Sequence, residues 1–318
     1  MKEARVVLAA VAAASAAFVL AIGFERELVR LLSLDLGELE WVSDVVLSTA
    51  LGVATFLWLH LRRARTELTR LERAQLVVDT ELRIAAEIQR HLLTAPPRAR
   101  GGWRFAARLE PAGRVGGDFY DFVDLGGSLL VLLADVSGKG IPAALVMGSC
   151  RTLFRQLARE TQEPGPLVAR LGRALLEEHG GAPYLTCFLG RLDLAERRLS
   201  WVNAGHPAGL VVAGGAHQAL AATGPPAGLL PNVVYEARTQ RFAAGDALLL
   251  VTDGVTEALD GDGPIDERLA RAVSRKRTSG AQAICEQVMR LARTGPALQP
   301  GANGTDDRTV VVVTLEAA

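Results

Sequence analysis

Four aspartates stand at the edges of apolar, strand-like runs across the last two-thirds of the chain: Asp118, Asp135, Asp253 and Asp306. They occur in GGDFYD (Gly116–Asp121), ADVSGKG (Ala134–Gly140), TDGVTEA (Thr252–Ala258) and TDDRTVVVV (Thr305–Val313). The flanking stretches include Leu129–Leu133, Leu248–Val251 and Val310–Val313. A buried strand that ends in Asp presents a carboxylate at the rim of its sheet. Carboxylates gathered at one rim repel each other and lose hydration, so the arrangement is stable chiefly when divalent cations neutralise it. All-oxygen ligands favour the hard ions Mg²⁺ and Mn²⁺. Each motif alone says little, since an Asp-Gly pair such as Asp253-Gly254 reads first as a turn.

The set of four, in this order and with these neighbours, resembles the SpoIIE/RsbU-type branch of the PPM family, the metal-dependent protein serine/threonine phosphatases, over about residues 100 to 318. NAGHP (Asn203–Pro207) and TGPPAGLLP (Thr223–Pro231) also look like that branch. The resemblance implies an α+β fold in which a β-sandwich is flanked by helices, with two divalent cations, Mn²⁺ or Mg²⁺, at one end between the sheets. It implies that Asp135 bridges both ions, with the backbone carbonyl of Val136 as a neighbouring ligand. Asp118 matches the first acidic ligand, and Asp253 and Asp306 match the carboxylates that hold the second metal. Asp307 aligns with a polar position that is not a direct ligand. A metal pair of this kind activates water for in-line attack on phosphorus, and no phosphoenzyme is needed. In agreement, none of Cys150, Cys187 and Cys285 is followed by a Gly-rich anion cradle.

Eukaryotic-type members carry a His two positions after the bridging Asp, where this chain has Ser137. Leaving-group protonation then falls to water or to another group such as His206, although a lone His in this context is more often structural. Arg114, four residues before Asp118, is a candidate phosphate contact through its forked guanidinium. Lys139 in SGKG lacks the G-x₄-GK[ST] surroundings of a nucleotide-binding loop.

The amino-terminal part differs in composition. Val6–Phe24 is 19 residues without a charge, and Val45–Leu61 is a second apolar run of 17 broken only by His60. Both read as transmembrane helices. Six acids and two bases lie between them, whereas Arg62, Arg63, Arg65, Arg70 and Arg73 follow the second, which places both ends in the cytoplasm. From Leu61 a heptad seam runs through Ala64, Leu68, Leu71, Gln75, Val78, Leu82, Ala85, Gln89 and Leu92. The seam favours a parallel coiled coil over residues 61–92, and hence a homodimer; the competing reading is one amphipathic helix packed on its own catalytic domain. Pro96 and Pro97 end the helix. The expected divisions are a transmembrane hairpin over 1–61, a helical coiled-coil linker over 62–97 and a phosphatase domain over 98–318.

Composition excludes other classes. The formal net charge is zero, so nucleic acid is not an expected partner, and three scattered cysteines do not form a disulfide framework. His91 on the linker raises a sensor histidine kinase, but no ATP-lid glycines follow. GGDFYD superficially resembles a diguanylate cyclase turn, but NAGHP, TDG and DDRT belong to no such cyclase. A degenerate, non-catalytic module on the phosphatase fold would lack ligand positions, and all four aspartates are present. The expectation is an inner-membrane, multi-pass phosphatase with its catalytic domain in the cytoplasm, acting on phosphoserine or phosphothreonine of a regulatory protein such as an anti-sigma-factor antagonist.

Overall fold

Alternation within the apolar runs decides the architecture. In the computed structural model, which describes residue 23 and residues 40–97, 99–214, 216–261, 263–295 and 306–316, eleven strands form two antiparallel sheets. The strands are β1 (Ala99–Arg100), β2 (Trp103–Glu110), β3 (Phe119–Asp124), β4 (Ser128–Val136), β5 (Leu185–Asp193), β6 (Arg198–Ala204), β7 (Gly209–Ala213), β8 (Ala216–Leu220), β9 (Arg238–Arg241), β10 (Ala247–Val251) and β11 (Arg308–Leu315). One sheet has the order β1-β2-β11-β10-β7-β8 and the other β3-β4-β5-β6-β9. The helices are α1 (Glu40–Leu92), α2 (Gly140–Glu160), α3 (Pro164–His179), α4 (Asp253–Ala258), α5 (Ile265–Lys276) and α6 (Gly280–Arg293).

Three apolar clusters give the layers. Leu130, Leu132 and Ala134 of β4 pack under α2 and α3. Leu249 and Val251 of β10, with Val310 and Val312 of β11, pack under α5 and α6. The alternate residues, Leu129, Val131 and Leu133 of β4, Leu248 and Leu250 of β10, and Val311 and Val313 of β11, meet between the sheets. Strands buried on both faces read as continuous apolar runs for this reason. The result is helices, sheet, sheet, helices, with the period of two carrying each strand's last interior position to the rim.

The chain divides into two compact units, residues 1–79 and 80–318. In the first, Leu61, Leu68, Leu71 and Val78 on α1 are exposed. No helix among the described residues is long and apolar enough to cross a membrane. The apolar run Val45–Leu61 is helical within α1, but Arg62, Arg63 and Arg65 follow it at once. The first run, Val6–Phe24, lies outside the described residues apart from Gly23.

In the second unit the end of the heptad seam turns inward. Leu82, Ala85 and Leu92 are half-buried and Gln89 is buried. The Gln89 amide donates to the carbonyl of Gly116 (2.7 Å) and accepts from its N–H (3.2 Å). The last seam positions therefore pack on this chain's own double sheet, through Gln89 and the loop before β3. Beyond α1, Thr94 accepts hydrogen bonds from Arg151 and Arg155 of α2, each at 2.7 Å. Arg155 also forks onto the fully buried Asp121 of β3 (2.6 and 2.7 Å), tying α2, β3 and the chain after α1 together.

Candidate active site

The acidic rim follows from strand alternation. Asp118 precedes β3, whose Tyr120 and Phe122 face the inter-sheet core, so its carboxylate enters between the sheets. Asp135 continues the inward row of β4 after Leu129, Val131 and Leu133. On the opposite sheet Thr252 and Thr309 continue the inward rows of β10 and β11, and both are fully buried. Their hydroxyls donate to one oxygen of Asp118, at 2.7 Å from Thr252 and 2.5 Å from Thr309. The N–H of Thr309 donates to the Thr252 hydroxyl (2.9 Å), so that oxygen cannot turn away. Asp118 is thus clamped across the sandwich.

Asp253 opens α4 directly after β10, and Asp306 precedes β11, its strand neighbour, which brings these two carboxylates to the same rim. The charges sense one another. Burial, then the Asp135 charge, push Asp118 well above the usual carboxylate range, against the pull of the two threonines. Burial followed by Asp253, Asp306 and Asp307 pushes Asp135 up to about 7. Burial and then Asp306 raise Asp253, and burial followed by Asp253 and Asp306 raises Glu257, one helical turn later. Lys139, at the start of α2, places its ammonium 2.8 Å from Asp306.

The loop carrying Asp118 is held from two sides, by the Val136 carbonyl and by Asp307. Gly117 approaches the carbonyl of Val136 so closely that a Cβ there would lie 2.6 Å from it. Gly116 lies against the Asp307 carboxylate, which a Cβ would overlap. Asp307 accepts from the N–H of Ala112 (2.8 Å) and of Asp118 (3.4 Å), so its oxygens are engaged in holding the loop.

The other sequence candidates have surroundings of their own. Ser137 accepts from the N–H of Tyr184 (2.9 Å) and donates its own N–H to the Tyr184 carbonyl (2.9 Å), extending the β4–β5 pairing by one step. His206 is buried, its Nδ1 2.9 Å from the Thr186 hydroxyl, and burial pushes its pKa down to about 3. It is neutral near pH 7 and has no proton to give a leaving group. Arg114 lines a cavity of 380 Å³ with Lys139, Ile141, Asp306 and Asp307. His91 is exposed on α1, its Nδ1 donating to the carbonyl of Glu87 (2.8 Å). The roles of Thr252, Thr309, Gln89 and Glu257 are not among the sequence expectations. The first two were within reach of the alternation rule, because each continues an inward-facing row by one step.

Among the described residues no three acidic, histidine or cysteine side chains are drawn in tightly enough to hold one ion as they stand. The donor set nevertheless fits a hard divalent cation. It is all oxygen and partly dehydrated, and burial followed by neighbouring carboxylates raises the pKa of Asp118, Asp135 and Asp253, a cost that a bound cation would relieve.

A helix-flanked double sheet with an acidic rim is the architecture of PP2C-type phosphatase domains. The fold matches the SiaA-PP2C domain of Pseudomonas aeruginosa with a TM-score of 0.63 and 22% identity, over 76% of this chain and 99% of that one. It also matches the phosphatase domain with a regulatory fragment of SpoIIE from Bacillus subtilis, with a TM-score of 0.59 and 21% identity, over 67% of this chain and 63% of that one. The chain belongs to the family described as Stage II sporulation protein E (SpoIIE), whose family model matches residues 126–316. Phosphoserine phosphatase RsbU of Bacillus subtilis is 27% identical over 214 residues, 66% of this chain and 64% of that protein. Protein IcfG of Synechocystis sp. is 32% identical over 208 residues, 56% of this chain and 33% of that protein. The matched region spans less than two-thirds of either relative's length.

Proposed function

We propose that this chain is a membrane-anchored, Mg²⁺- or Mn²⁺-dependent protein phosphatase that hydrolyses phosphoserine or phosphothreonine on a regulatory protein. The observation that carries the reading is the convergence of Asp118, Asp135, Asp253 and Asp306 on one rim, with Asp118 and Asp135 raised by burial and by neighbouring carboxylates. Asp135, the Val136 carbonyl and Asp118 would hold one divalent cation, and Asp135, Asp253 and Asp306 a second. When bound, the pair supplies Lewis-acid chemistry that lowers the pKa of water and neutralises charge on the transferred phosphoryl group.

The chain's own residues orient and hold. Thr252 and Thr309 fix the Asp118 oxygen, Asp307 fixes the loop behind it, and Arg114 stands at the cavity where a phosphate would enter. Neither Ser137 nor His206 has the position or protonation state of a general acid, so the leaving alkoxide takes its proton from solvent. The similarity to a relative named as a phosphoserine phosphatase favours phosphoserine among the possible substrates. Membrane attachment rests on the uncharged run Val6–Phe24, and homodimer formation on the exposed seam residues Leu61, Leu68, Leu71 and Val78.

The test is release of inorganic phosphate from a phosphoserine protein by the purified full chain, with Mn²⁺, with Mg²⁺ and with a chelator. Cation-dependent release supports the proposal. Release that is unaffected by chelation overturns it.

A further inference from the structure

Lys139 is an unusual choice of base for this chain. Of 35 basic residues only Lys2, Lys139 and Lys276 are lysine, and one of the three stands at the mouth of the acidic rim. It lies between Gly138 and Gly140 in the turn from β4 to α2, three residues after the strand end formed by Asp135 and Val136. It is the N-cap residue of α2 but makes no side-chain cap hydrogen bond. Its ammonium instead reaches Asp306 (2.8 Å), with the lysine side chain 65% exposed and the Asp306 side chain 29% exposed. Its pKa is raised, first by the hydrogen bond to Asp306; the Asp306, Glu257 and Asp253 charges act in the same direction. An ammonium is a compact, strongly hydrated point charge on a flexible stem, closer in its electrostatics to a metal cation than the flat guanidinium of arginine is.

We infer that Lys139 is a built-in competitor for the cation held by Asp253 and Asp306: its ammonium neutralises Asp306 when that cation is absent and must be displaced before the cation binds. Lys139 thereby sets the affinity of the second ion without contributing a ligand. The inference rests on the proposed metal site and adds to it a residue with an opposing role. The exposed pair is exchangeable because its strength is small and water reaches it. Among the described residues no cationic side chain acts on Asp118 or Asp135 in the same way, so the two ions would load unequally.

The experiment is calorimetric titration of the full chain with Mn²⁺ alone, with no substrate and no activity readout. The wild type is compared with Lys139→Met, which keeps the apolar stem, with Lys139→Arg, with Asp306→Asn and with the Lys139→Met/Asp306→Asn pair. The expected result is that Lys139→Met tightens the weaker Mn²⁺ equivalent by about two- to fivefold, the range of an exposed ion pair, and leaves the tighter one unchanged. Lys139→Arg is expected to give no tightening. In the Asp306→Asn background the Lys139→Met effect should vanish. Unchanged affinities in Lys139→Met, equal tightening of both equivalents, or persistence of the effect without the Asp306 charge would overturn the inference while leaving the metal site standing. Failure of the wild type to bind Mn²⁺ at all would overturn both.

Discussion

Asp135 is the residue on which most of the chemistry converges, and two consequences follow from its surroundings. Asp135→Asn removes charge with little change of shape, as does Asp253→Asn at the second ion. Each should lower cation-dependent phosphate release by on the order of 100-fold or more, the scale of losing one charged contact to the transition state. Retained activity in either variant, with a native circular dichroism spectrum, would count against the assignment. The second consequence concerns stability without added cation. The Asp135 pKa is raised in the fold to about 7 from 3.8, so the folded state holds its proton over that window and the unfolded state does not. Stability should decline as pH rises from about 4 to about 7, and Asp135→Asn should flatten that decline. Thermal melts of both proteins in chelator at pH 5 and pH 8 check the sign. His206 runs the other way. Its pKa is depressed to about 3, so its contribution is present above the ordinary histidine range and is lost as pH falls from about 6.5 towards 3. As a neutral packing group it should leave no limb in the pH–rate profile, and His206→Gln should keep the wild-type profile shape between about pH 6 and pH 9.

At the scale of elements, the strands with continuous apolar runs were legible to within a residue or two. β4 reads as Leu129 to Asp135 and forms Ser128–Val136; β11 reads as Thr309 to Leu315 and forms Arg308–Leu315. The strands that gave no signal are the two-residue β1 and the strands β8 and β9, with sequences AHQAL and RTQR. They are the outer strands of their sheets, mostly exposed, where charge and polarity serve to block edge pairing and no apolar alternation is needed. α4 was hidden by its first two residues, because Asp-Gly signals a turn, whereas here Asp253 begins a short helix. α2 starts at Gly140, directly after Lys139, whose backbone is still extended (φ −136°, ψ 158°). The four aspartates could be named from motif order. Alternation could place Thr252 and Thr309 on the inward rows, but not pair them with Asp118, and it gives no sign of the glutamine latch: Gln89 meets Gly116 from 27 positions away and Thr309 meets Asp118 from 191. Gln89 also accounts for the seam: a glutamine that reads as a weak coiled-coil position is a buried bidentate clasp on the loop before Asp118. Gln89→Ala would strand both polar groups of Gly116 and should cost about 1 to 3 kcal/mol, seen as a lowered Tm. A loss within measurement error would mean that α1 is not held there.

For the whole molecule, the sandwich explains why residues so distant in sequence act together: both sheets end at one rim, and each brings its own carboxylates. The family model matches SpoIIE and the fold matches PP2C phosphatase domains, and both are consistent with the proposed activity. Zero net charge fits a protein substrate better than nucleic acid. In the proposed homodimer, the exposed Leu61, Leu68 and Leu71 of α1 would supply the surface for self-association. Substituting Leu68 and Leu71 together by Glu should shift the full chain from dimer to monomer in sedimentation measurements, and an unchanged oligomeric state would remove the seam from the account.

The most direct test of the central claim is cation-dependent phosphate release by the full chain, measured against an Asp135→Asn and an Asp253→Asn protein of equal thermal stability in chelator. The account predicts release from a phosphoserine protein that rises with Mn²⁺ or Mg²⁺ and is absent from both variants. Release by either variant at the wild-type rate would show that the acidic rim does not perform the hydrolysis.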